Sequence, residues 1–203
     1  MADQNSKEDA QLLAALKLSA EQQLGFYSNA GKAERERWIV QEFLRLRSII
    51  FDPGEIFSEE QQSKIDVTFR DLCFQVKEIT EPNSRRHAEI RESYRIAMAA
   101  NSLADLVGSG FVYDNLAPAS GYQLVCEQAQ QLAQDERYAL VKSEIDLLIY
   151  VTRTCTSLVN LSEINLGDLE QTGWRSISVL IGQQALVLYG GLSAPLMLRH
   201  LPE

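Results

Sequence analysis

The chain is poor in the residues that build metal and redox centres. Its 203 residues contain three cysteines and two histidines. Cys73, Cys126 and Cys155 are far apart, form no Cys-x-x-Cys spacing and sit among apolar neighbours. That pattern reads as three reduced, buried thiols in a cytoplasmic protein. His87 and His200 belong to no His-Glu-x-x-His or Glu-x-x-His motif, so neither a zinc site nor a dinuclear carboxylate site is expected. No glycine-rich phosphate loop and no Gly-x-Ser-x-Gly elbow is present, which removes the usual nucleotide and nucleophile signatures. No cofactor is expected.

Basic residues are also in deficit, with 19 Lys and Arg against 28 Asp and Glu, a net charge of −9. A nucleic-acid partner is not expected on that balance, because nonspecific binding needs a positive footprint. The start MADQNSKEDAQ has neither a basic head nor an apolar run, so no signal peptide is read and a cytoplasmic location is expected.

Charge is absent altogether from Ser176 to Leu198. At about 1.5 Å per helical residue the stretch is long enough to cross a bilayer of about 30 Å. However, Gln183, Gln184, Gly190, Gly191 and Pro195 interrupt it. Gly-Gly before Ser-x-Pro reads as a helix stop and restart. The expected form is an apolar C-terminal helix ending near Tyr189 and buried in the core, with a membrane-seeking tail as the alternative. Truncation after Gly173 separates the two, since a core helix is indispensable and a tail is not.

What is present reads as helical. Leu12, Leu13, Leu16, Ala20 and Leu24 line one side of a helix over Glu8–Gln23, and Ile39, Phe43, Leu46 and Ile50 one over Lys32–Phe51. Ile65, Phe69, Leu72, Val76 and Ile79 recur at four-three spacing after a Ser58–Gln61 capping box. Residues 65–69 also alternate and are rich in β-branched side chains, which favours a strand; the cap and the five-member repeat favour a helix. A long helix follows Glu81-Pro82-Asn83-Ser84 as far as Gly108, then an irregular stretch containing Tyr113, then helical patterns over 122–134 and 136–160. The expected fold is therefore all-α: one bundle-like domain of seven or eight helices over residues 8–203, behind a flexible segment 1–7.

The strongest polar constellation is Arg85, Arg86, His87, Arg91 and Arg95 at a helix start. Free backbone N–H groups there already favour anions, so these residues are candidates for an anion or an acidic partner. Glu89 and Glu92 in the same helix offer the competing reading of a charge-paired solvent face. Leu12 and Leu16 are interface candidates. With no catalytic set legible, the leading expectation is a non-enzymatic helical module that binds another protein or a second copy of itself. A membrane-associated protein using 176–198 is one alternative. A helical ligand-binding protein or enzyme, with a pocket near 84–95 and His87, Arg91 and Tyr113 as its candidates, is another.

Overall fold

The computed structural model describes residues 2–60, 62–82, 86–107, 118–153 and 155–199, with the backbone alone for 2–6. The described residues form five α-helices and two sheets. In chain order they are α1 (Ala2–Phe26), α2 (Lys32–Leu46), β1 (Ile56–Ser58), β2 (Val67–Phe69), β3 (Leu72–Ile79) and α3 (Arg86–Ala99). There follow β4 (Ala119–Ser120), α4 (Gly121–Ala133), β5 (Asp146–Val151), β6 (Thr156–Ser157), α5 (Leu166–Glu170), β7 (Ser176–Ile181) and β8 (Gln184–Gly190). Two compact units result, one of residues 1–35 and 83–116 and the other of 36–82 and 117–203.

The first unit contains α1 packed along α3. The second is organised by a six-stranded mixed sheet in the order β1-β2-β3-β5-β7-β8, with a two-stranded β4-β6 sheet beside it. Strands β1 to β3 are antiparallel, β3, β5 and β7 are parallel, and β8 returns antiparallel to β7. One face packs Phe74, Val76, Leu148 and Leu180 against Ile39, Val40, Phe43 and Leu44 of α2. The other packs Leu147, Ile149, Ile177 and Val179 against Val125, Ala129 and Leu132 of α4.

This overturns the all-α bundle expected from periodicity, and the physical cause differs by segment. In 65–79 the repeat mixes two faces. The side chains buried against α2 are Val67, Phe69, Leu72, Phe74 and Val76, a period of two in each arm of a hairpin that turns at Arg70-Asp71. Residues 146–151 and 176–181 are central strands with helices on both faces, buried over almost their whole length. Such strands carry no alternation, so they resemble buried helix in sequence.

The charge-free segment likewise does not form the apolar helix expected to end near Tyr189. Residues 176–181 and 184–190 are β7 and β8, joined through Gly182 at a φ of +56°. Among the described residues, no helix is long and apolar enough to cross a membrane. Gly190 is required by close approach, since a Cβ there would lie 2.0 Å from the Leu198 carbonyl oxygen. A chain truncated after Gly173 is expected to be unfolded. It loses a fully buried central strand and its partner, at about 1.5–3 kcal/mol for each large apolar side chain against a net stability of about 5–15 kcal/mol. Circular dichroism and gel filtration check this; a compact, cooperatively melting truncation product would contradict it.

Candidate active site on the β2–β3 hairpin

The ladder between β2 and β3 is interrupted just before β2, where Asp66 occupies a bend. Its backbone N–H donates to the Phe74 carbonyl at 2.8 Å. Its carboxylate, almost buried, turns onto β3 and takes the Val76 N–H at 2.9 Å and the Gln75 amide Nε2. Gln75 Nε2 also approaches the Val76 carbonyl oxygen at 3.3 Å. A polarised NH2 group thus sits between a carboxylate and a carbonyl oxygen. Rotating that amide would present its Oε1 to the same point and leave three oxygens converging there.

Lys77 lies two residues beyond Gln75, hence on the same face of β3, and is exposed. The alternation is set by Phe74 and Val76, whose burial against α2 drives Gln75 and Lys77 to the opposite side. Glu59 flanks the group. Its N–H donates to the Asp66 carbonyl at 2.9 Å, and its carboxylate accepts from the Thr68 hydroxyl at 3.1 Å.

The start of β3 is anchored by a second polar node. Asp146, fully buried, accepts from the Cys73 N–H at 3.0 Å, from Arg175 Nε at 3.0 Å and from the Ser176 hydroxyl at 2.7 Å. Arg175 also reaches the Asp71 carbonyl at 3.1 Å. One carboxylate therefore ties the first residues of β3, β5 and β7 together, two positions before Gln75. Burial pushes the Cys73 thiol above its usual range, and the Arg175 charge offsets part of that. The cysteines are unpaired as expected, but none is fully buried, and Cys155 is exposed.

The residues picked out in sequence lie in the other unit. On α3, Arg86 stacks over the Tyr27 ring at 4.0 Å, Arg91 Nη2 lies 3.4 Å from His87 Nδ1, and Arg95 Nε donates to Glu92 at 2.8 Å. Arg85 and Tyr113 fall outside the described residues. Leu12 and Leu16 on α1 are 52% and 41% exposed. Sequence reasoning missed Asp66, Gln75 and Lys77. The available signal was the polar alternation Cys73, Gln75, Lys77 across Phe74 and Val76, which the helical repeat masked.

Among the described residues, no group of three or more His, Cys, Asp or Glu side chains is placed to hold a metal ion. A cation at the hairpin would instead have one carboxylate, one amide oxygen and one backbone carbonyl, all hard oxygen donors. Magnesium suits such a set, because it keeps several waters and is commonly bound by one or two carboxylates together with substrate phosphates.

The second unit is thus a mixed α/β fold that carries a carboxylate, an amide and a lysine on one hairpin. The chain belongs to the family described as "Putative endonuclease, protein of unknown function (DUF1780)", whose pattern matches residues 8–202. No curated protein matches it. Among solved structures it is similar in fold to a Pseudomonas aeruginosa PAO1 protein described as of unknown function and of a monooxygenase superfamily. The TM-score is 0.57 at 22% identity, over 93% of this chain and 89% of that one. The family and the sheet together overturn the expectation of a non-enzymatic helical interaction module.

Proposed function

We propose that the protein is a divalent-cation-dependent endonuclease whose active site is the β2–β3 hairpin. The observation that carries this reading is the convergence of the Asp66 carboxylate, the Gln75 amide and the Val76 carbonyl beside exposed Lys77. The family description supports the reaction class. Asp66, Gln75 through Oε1 and the Val76 carbonyl would hold the cation. When bound, the cation supplies Lewis-acid polarisation of the scissile phosphate and a lower pKa for an attacking water.

The remaining work falls to side chains of this chain. Asp66 is held in place by the Val76 N–H and so presents its charge without reorganisation. Lys77 reaches out from the same face to neutralise charge that builds on the phosphoryl oxygens during hydrolysis. Water adds to phosphorus and gives up one proton to solvent, the P–O bond to the leaving nucleotide breaks, and the leaving oxygen takes up a proton from solvent.

This reading departs from the expectation that nucleic acid is not a partner. A net charge of −9 disfavours tight nonspecific association, so binding should depend on divalent cation and low salt. The test is incubation of the purified full chain with supercoiled plasmid and with labelled oligonucleotides. Cleavage is expected with magnesium or manganese and not with excess EDTA. Failure to cut single-stranded or duplex DNA or RNA with any of these cations would reject the assignment.

A further inference from the structure

The site on β3 continues along the sheet toward a cavity that the hydrolytic step does not use. Lys77 lies beside Ile149 in the parallel ladder with β5, and Ile79 beside Val151. The ladder runs on past the strand ends, because the Thr152 N–H donates to the Ile79 carbonyl at 2.9 Å. In that register Arg153 stands opposite Glu81, and Arg153 Nε lies 3.7 Å from its carboxylate. Residues paired in a parallel ladder share a face, and every second residue returns to it. Gln75, Lys77 and Arg153 therefore lie on one face of the sheet. Arg153 is four residues past Ile149, roughly 13 Å further along at the usual strand rise.

There Arg153 forms part of the wall of a cavity of about 250 Å³, which Ser120, Gln123 and Glu127 of the α4 start also line. Gln123 Nε2 donates to the Glu127 carboxylate at 3.1 Å, and Ser120 caps α4 through the Gln123 N–H. The cavity thus offers a guanidinium on one side and fixed acceptors on the other. Glu127 rules out a simple anion trap. A nucleotide satisfies both walls, with its phosphate on the planar donor fork of arginine and the amino edge of its base toward the carboxylate.

We infer that this cavity is a subsite for a flanking nucleotide of the nucleic-acid strand cut at the hairpin, with Arg153 holding its phosphate. The inference rests on the endonuclease reading and adds where the substrate strand runs. The experiment measures binding, so that it does not depend on cleavage. Fluorescence anisotropy of the full-length protein with a labelled single-stranded 20-mer and its duplex, in calcium, is recorded across a potassium chloride series.

Arg153→Gln is expected to weaken binding about five- to tenfold and to reduce the slope of log K against log salt by about one. Arg153→Lys should keep most of that slope. Ser120→Asp puts a negative charge into the cavity while preserving the helix cap, and should weaken binding without touching the ion pair. If the wild type binds and both Arg153→Gln and Ser120→Asp bind with unchanged affinity and slope, the subsite is refuted and the endonuclease reading stands. If the wild type binds neither probe, both readings fall together.

Discussion

Asp66→Asn is expected to abolish cleavage at physiological magnesium while leaving the fold intact. Asparagine keeps an acceptor for the Val76 N–H, which Asp66 binds at 2.9 Å, so the bend before β2 can persist. What it removes is the only carboxylate among the three groups that would hold the cation, Asp66, Gln75 and the Val76 carbonyl. Lewis-acid stabilisation by a bound cation amounts to several kcal/mol, and each 1.36 kcal/mol is a factor of ten in rate. The loss should be about 10³-fold or more.

Lys77→Met separates the two roles. It should lower kcat by about 10²–10³, the range for removing a group that stabilises transition-state charge, with little change in the magnesium concentration giving half-maximal rate. Gln75→Glu should shift that concentration downward, since it adds a second carboxylate. The measurement is single-turnover cleavage of a labelled substrate over a magnesium series, with thermal melts of each variant. Wild-type cleavage by Asp66→Asn would move the active site away from this hairpin.

The second large effect concerns stability. Asp146→Ala should cost about 3–5 kcal/mol, because removing one partner of a buried, hydrogen-bonded pair leaves the other charge uncompensated. Here that charge is Arg175, and the Cys73 N–H and the Ser176 hydroxyl lose their acceptor as well. For a chain of this size about 1 kcal/mol moves Tm by about 2–4 °C, so the midpoint should drop by about 6–20 °C. Replacing both partners by apolar residues, Asp146→Leu with Arg175→Met, should recover much of the loss, as such exchanges are often neutral or stabilising. Differential scanning calorimetry decides; a fall of less than about 1 kcal/mol in the single variant would mean that the node does not hold the strand starts.

Local sequence located three of the helices, but the same patterns read helix into 65–79 and 136–160, which hold β2, β3 and β5. One-sided apolar spacing over 8–23 and 32–51 fell on α1 and α2, at Ala2–Phe26 and Lys32–Leu46, because an amphipathic helix carries its partner face within its own few turns. The helical pattern over 122–134 fell on α4, Gly121–Ala133. The wide spacing of Cys73, Cys126 and Cys155 likewise suggested free thiols, and all three are free. Tertiary structure alone decided the sheet. Strands such as 146–151 and 176–181 are apolar on both faces because α2 and α4 cover them from either side, and nothing within the strand records that. Even Ser176 and Ser178, fully buried in β7, read locally as interruptions of an apolar run.

The candidate site has the same origin. Asp66 and Gln75 are nine residues apart with nothing unusual between them, and only the Arg70-Asp71 turn folds one onto the other. Arg153 reaches the same face through a parallel pairing that spans more than 70 residues of chain. Contacts of that range depend on which strands become neighbours, and the helices on the two faces and the burial of the central strands settle that choice.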